Sequence, residues 1–177
     1  MRYILIILCS LLFIQGQAQN PWIYTDDGPS GLSFETPDSI HIIDTLNTRL
    51  MVDEVDSLLA LQVHVFDSAY FDSTNVIFDQ LLVDQNYDTL RAIAKLILLA
   101  TDSETTELVE VNTNGVHGMQ IGIKYLSLAA DNQMHSFIRY YLTQDNRFIS
   151  FSITGVESDL VRLVAHRNQF FASISIQ

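Results

Sequence analysis

The spacing of apolar residues along this chain switches between two and three-to-four, and the order of those switches limits the fold more than any single motif. Leu61, Val63 and Val65 alternate with Gln62, His64 and Phe66, so residues 58–67 form a strand with one plainly buried face. Upstream, Leu32-Ser33-Phe34 and residues 39–45 are shorter strand candidates, and Asp53-Glu54-Val55-Asp56 reads as a charge-rich turn. From Thr74 the period lengthens, with Ile77, Phe78, Leu81 and Leu82 on one side and Asp79, Gln80 and Asp84 on the other. After a break at Gln85-Asn86-Tyr87, Asp88 is placed to cap a second helix. Leu90, Ile93, Ala94 and Ile97 form its stripe, opposite Arg91 and Lys95. Strand character returns at residues 108–111, 118–128, 138–142 and 149–153. A last helix covers residues 158–172, with Leu160, Leu163, Val164, Arg167 and Phe171 inward. Strands, helices, antiparallel strands and one helix make an α+β fold: a single, mostly antiparallel sheet with helices on its faces, an α/β/α sandwich.

Two hairpin registers follow from the apolar faces. Around Asn114-Gly115, a loop of odd length pairs Val109 with Ile121 and Val111 with Met119. A two-residue loop would split those faces, so the odd-length loop is expected. A two-residue Asp145-Asn146 turn pairs Leu142 with Ile149, Tyr140 with Phe151 and Ile138 with Ile153. Arg139, Tyr141, Ser150 and Ser152 are left on a half-solvated face.

The N-terminus sets the expected compartment. Arg2 precedes an apolar run over residues 4–14, and Gln15-Gly16-Gln17-Ala18 supplies small residues three before and one before a cut after Ala18. This is the layout of a cleavable signal peptide, and the run is too short for a helix spanning ~30 Å of hydrocarbon. Residues 1–18 are therefore expected to be a signal peptide and residues 19–177 a single domain, exported to the periplasm or the extracellular space. Cys9 is followed by five more signal-like residues and preceded by bulky Leu8, which is not the setting of a lipid-modified cysteine. It is the only cysteine, so the mature domain is expected to carry neither a disulfide nor a catalytic thiol. A net charge of −12, one unit more negative once Arg2 is lost, repels nucleic acid and anionic lipid surfaces. No later stretch is apolar enough to span a membrane; the closest, residues 92–100, is broken by Lys95.

A set of packing signposts completes the pattern. Trp22 and Tyr24 come first, then Gly31-Leu32-Ser33-Phe34 and Pro37, Gly115 and Gly118, and Tyr140-Tyr141. Asn146 to Ile153, reading Asn-Arg-Phe-Ile-Ser-Phe-Ser-Ile, and Phe170-Phe171-Ala172-Ser173-Ile174 close the series. In element order and in these residues the chain is similar to the PsbP-like family, which shares its α/β/α sandwich with Mog-type Ran-binding proteins and DcrB-like exported proteins. The resemblance covers nearly all of residues 19–177. It implies a non-enzymatic accessory or binding module that docks on another protein, and it carries over no catalytic residue. Some plant members are associated with metal ions, but no metal-ligand motif matches here, so neither metal nor other cofactor is implied.

Candidate chemistry in the residues themselves is sparse. His41, His64, His117, His135 and His166 show no pair at metal-ligand spacing and read as separate surface or rim residues. Asp26-Asp27 and the acidic stretch at 53–56 lack the alternating oxygens and glycine turn of a calcium loop and read as solvated turns. Gly28-Pro29-Ser30-Gly31 has the wrong spacing for a nucleophile elbow, and no glycine-rich phosphate loop occurs. The remaining candidate is Arg139 beside Tyr141, a composition suited to anchoring a protein partner on an exposed aromatic and basic face. The competing picture is a metal- or ligand-binding protein, or an enzyme, whose site gathers dispersed residues such as His64, His135 and the acidic clusters.

Overall fold

Residues 74–82, where the sequence predicts a first helix, are outside what the structure describes. So are the signal-peptide region and the Asp145-Asn146 turn. The structure, a computed structural model, describes residues 21–45, 48–56, 58–67, 87–127, 132–143 and 147–177. Their strands are β1 (Ile23–Asp27), β2 (Leu32–Thr36), β3 (His41–Asp44), β4 (Thr48–Asp56) and β5 (Leu59–Phe66). Helix α1 (Tyr87–Thr101) follows, then β6 (Glu104–Thr113), β7 (Val116–Ser127), β8 (Asn132–Leu142), β9 (Phe148–Val156), α2 (Leu160–Ser173) and β10 (Ser175–Ile176).

Seven strands form one antiparallel sheet in the order β3-β4-β5-β9-β8-β7-β6. The predicted sandwich is present, with one helix on each face among the described residues. On one face α1 sets Leu90, Ile93 and Ala94 against Met119, Ile121, Ile123, Tyr140, Leu142 and Phe148. On the other, Leu163, Phe170 and Phe171 of α2 meet Leu61, Val63, Tyr141, Ile149, Phe151 and Ile153. To the expected single sheet the structure adds a small one, β1-β2-β10, which delivers Leu32, Phe34 and Ile176 to the α2 side, with Ile174 joining them from the link between α2 and β10. Phe34, Phe151 and Phe170 meet edge-on at centroid distances of 5.9–6.0 Å, an arrangement aromatic quadrupoles favour.

Both predicted registers are displaced by one residue. Leu142 faces Phe148, Tyr140 faces Ser150 and Arg139 faces Phe151, so Tyr140 and Phe151 belong to opposite faces. Because each helix buries one face, Tyr140 and Tyr141 are both 0% exposed and no half-solvated side remains to fix the register by pattern. The β6–β7 hairpin uses the two-residue loop after all, with Thr113 opposite Val116, Val111 opposite Gly118 and Val109 opposite Gln120. Asn114 and Gly115 have φ of 53° and 87°, the left-handed pair that a type I′ turn requires. On this edge strand the apolar residues gain little from sharing a face, so turn chemistry decides.

The acidic stretch at 53–56 is the end of β4 and not a turn, and it pairs with β5 through a bulge at Glu54/Asp56. Met51 and Asp53 point inward along β4, and the inward acid hides the alternation from a hydropathy pattern. Asp26 and Asp27 likewise belong to β1, paired with Ser33 and Leu32.

Candidate functional site

The side chains that β7 and β8 direct toward α2 come in matched pairs. Gly118 lies opposite Tyr141, Gln120 opposite Arg139 and Gly122 opposite Phe137. Each glycine leaves room for a ring. A Cβ on Gly118 would sit 2.5 Å from the Tyr141 ring and 2.8 Å from the Tyr140 carbonyl oxygen. The Tyr141 hydroxyl hydrogen-bonds Thr113 Oγ1 at 2.8 Å, and burial raises its pKa. Tyr141 is thus a core side chain and cannot serve as the exposed anchor expected of it.

Arg139 is half-buried, and each of its three nitrogens already donates a hydrogen bond. Its Nε and Nη2 donate to Gln120 Oε1 at 2.9 and 2.6 Å, and its Nη1 donates to the Phe171 carbonyl oxygen at 2.8 Å. The guanidinium also stands 4.5 Å from the Phe171 ring centroid. Buried Gln120 passes the chain on, donating to Glu107 at 2.6 Å; the other Glu107 oxygen accepts from Arg167 at 2.7 Å. Arg167 lies 4.5 Å over Phe137. These groups line a cleft of about 190 Å³ formed by Gln120, Arg139, Arg167, Asn168, Phe171 and Ala172. Opposite charges are neutralised within the network, so it clamps α2 to the sheet while presenting a polar-aromatic rim. Sequence reading found Arg139 and set Arg167 on the inward line of the last helix, but did not join them and missed Gln120 and Glu107. The available signal was Gly-x-Gln-x-Gly on one strand facing Phe-x-Arg-x-Tyr on the next.

A second cleft, of about 250 Å³, is lined by Ser30, Asp44, Thr48, Arg49, Asp67 and Arg147, among others. Here Arg49 of β4 donates Nε and Nη2 to the two oxygens of Asp27 at 2.9 and 2.6 Å and also pairs with Asp44. Ser30 adds a hydrogen bond to Asp27. Burial pushes the Asp27 pKa up, but the Arg49 and Ser30 hydrogen bonds and the Arg49 charge outweigh it, leaving the pKa lowered. The Asp26-Asp27 pair therefore supplies a buried ion-pair partner where a solvated turn was expected. Nearby, Arg147 Nη1 donates to the Ser30 carbonyl oxygen at 2.6 Å.

Asp53 is the other buried acid. It accepts from the Asp38 amide at 3.1 Å, and burial raises its pKa, opposed by that hydrogen bond and by the charges of His41 and His166. The histidines stay apart. His64 stacks on Phe66 at 5.6 Å, and burial lowers its pKa. His117 lies 4.8 Å from Tyr87, and His166 lies 5.6 Å from Trp22. His135 is 6% exposed, with Nε2 3.7 Å from Glu157, which corrects its expected rim position. Among the described residues no three His, Cys, Asp or Glu side chains are grouped to hold a metal ion. His64 and His135, on strands separated by β9, do not converge. Among the described residues, too, no helix is long and apolar enough to cross a membrane.

No protein-family model matches the sequence, and no curated protein is detectably similar to it. Solved structures do resemble the fold. The cyanobacterial PsbP protein CyanoP from Synechocystis is 14% identical, with a TM-score of 0.60 over 92% of this chain and 96% of that one. The Saccharomyces cerevisiae Ran-binding protein Mog1p is 8% identical, with a TM-score of 0.51 over 88% of this chain and 95% of that one. LpqN of Mycobacterium tuberculosis, involved in cell envelope biogenesis, reaches 0.45 at 8% identity, over 88% of this chain and 78% of that one. The PsbP/Mog-type fold expected from the sequence is the fold observed.

Proposed function

We propose that this chain is an exported, non-enzymatic binding module, released by cleavage after Ala18, that docks on another protein of the envelope or extracellular space. The observation that carries the reading is a clustering of exposed large apolar side chains on edge strands. Ile42 and Ile43 are on β3, Leu108 and Val109 on β6, and Ile23 and Tyr24 on β1, each a strand at the edge of a sheet, whereas Leu58, Leu99, Leu126 and Val161 stand singly elsewhere. Open edges and exposed apolar groups together suit association with other chains. The polar groups of the Arg139 cleft bind one another, as expected of a scaffold. Its half-buried rim of Arg139 and Arg167 serves this reading as a secondary contact, with Phe171 and Tyr141 supporting it from within the core. The fold likeness to a protein that binds Ran is consistent with docking by this architecture.

The test is a photo-crosslinker scan of the exposed positions in the native host, read by mass spectrometry beside the intact mass of the processed chain. A mature N-terminus at Gln19 and a reproducible crosslinked protein from a contiguous set of positions are expected. An unprocessed chain, or no crosslinked protein from any position, overturns the proposal.

A further inference from the structure

The seven-stranded sheet ends in β3 on one side and β6 on the other. β3 has four residues, short enough to be a poor template, whereas β6 runs for ten, from Glu104 to Thr113. Its bulge lies early, at Thr105/Glu107, leaving a regular stretch to the turn. Because the Asn114-Gly115 loop has two residues, Thr113, Val111 and Val109 direct their backbone groups to β7. Those of Leu108, Glu110 and Asn112 are directed away from it. At the centre of the strand Leu108 is 50% exposed on the α1 face and Val109 44% exposed on the α2 face. β6 contains neither lysine nor proline, the residues that commonly block such an edge.

We infer that the outer edge of β6 receives an extended, net-cationic segment of a partner protein, with alternating apolar side chains, as an added strand; this rests on the binding-module reading above. Apolar side chains project on both faces, at Leu108 and at Val109, so an alternating segment can lay its apolar set beside either one while its charged set faces water. The charge follows from the net charge of −12 on the chain and from Glu104, since Arg167 and Arg91 offset Glu107 and Glu110, the other charged residues of β6. Arg91 and Arg167 hold Glu110 and Glu107 in place beside the edge, and Glu104 has no ion pair among the described residues. A second copy fits poorly. Pairing β6 with its own copy would bring two strongly acidic chains, each of net charge −12, edge to edge.

The experiment uses labelled nine-residue peptides alternating lysine with valine or glutamate with valine, and the processed full-length domain. Titration of the lysine peptide should shift the amide resonances of Leu108, Glu110 and Asn112 and bind about tenfold or more tighter than the glutamate peptide, weakening as salt rises. Leu108→Pro removes an outward donor at an edge position and should weaken binding about tenfold with the fold intact by circular dichroism. Should it fail to fold, Leu108→Lys supplies the same test, and Val161→Lys, 88% exposed on α2, should change nothing. Equal binding of both peptides, or no loss in either Leu108 variant, overturns the inference. Photo-crosslinkers at Val109 and Ile43 in the native host separate it from the broader reading. A basic partner segment trapped from Val109 supports it. A second copy trapped from Val109, or a partner trapped only from Ile43, overturns the β6 assignment while leaving docking standing. No partner trapped from any exposed position overturns both.

Discussion

Gly118 and Phe151 occupy the same face of the large sheet and fail in opposite ways when changed. At Gly118 the Tyr141 ring fills the space a side chain would need, and the Tyr140 carbonyl blocks escape along the strand. Gly118→Ala should therefore overpack the α2 face and cost about 2 kcal/mol, read as a lower denaturation midpoint at unchanged m-value. Phe151 is fully buried and meets Phe34, Tyr141 and Phe170 edge-on. Phe151→Ala should leave a cavity and cost about 3–5 kcal/mol. Ser150→Ala, one residue away on the other face and partly exposed, should move the midpoint little. An unmoved midpoint for Phe151→Ala would contradict the face assignment. Tyr140 has a separate role: its hydroxyl donates to the Leu90 carbonyl oxygen and ties α1 to β8.

At the scale of elements, the β6–β7 turn shows local chemistry overriding hydrophobic pattern. Gly115 needs its left-handed φ, and no neighbouring atom lies where a Cβ would go. Gly115→Ala should thus cost about 1 kcal/mol from backbone strain alone. Gly28, equally uncrowded but without a positive φ, should accept alanine within about 0.5 kcal/mol. Comparing the two melts isolates the turn. The same contrast explains what could be read in advance. Helix α1 was legible because only one side of it is buried, through Leu90, Ile93 and Ala94. The α2 stripe was legible for the same reason, although Phe170 was missed as its companion. The β8–β9 register was not, because two helices bury both faces and apolar residues occur in every phase. β4 was concealed by inward Asp53, and β1 by Asp27, whose partner Arg49 is remote in sequence. In the candidate site, Arg139 could be singled out by composition. The burial of Tyr141 depended on Gly118, a pairing visible only once the register is known.

At the largest scale, the sheets and helices of the described residues are joined by a few ionic ties, and two buried acids respond to pH in opposite directions. Arg49 links β1 to β4 through Asp27, Arg147 reaches Ser30, and Arg162 on α2 pairs with Asp56 on β4. With no grouped metal ligands among the described residues, melting curves with chelator, zinc or calcium should overlay. A site filled at a hundred times its dissociation constant would add about 2.7 kcal/mol and separate them. The acids give a sharper test. The Asp27 pKa is lowered in the folded state, so its contribution is present above the unfolded value of about 3.9 and is lost as pH falls through the folded one. The Asp53 pKa is raised, so its contribution is fully present below that unfolded value and is lost as pH rises through the folded one. Asp27→Asn strands Arg49 with only Asp44 and should cost about 3 kcal/mol at pH 7. The stability difference between wild type and this variant should shrink as the solution is acidified below pH 4. Asp53→Asn keeps an oxygen to accept from Asp38 and removes the buried charge, so it should equal or exceed the wild type at pH 7. That advantage should disappear toward pH 4. Denaturant titrations of the three proteins from pH 3 to 8 give both differences directly. Two difference curves sloping the same way would show that one of these carboxylates does not sit in the environment described.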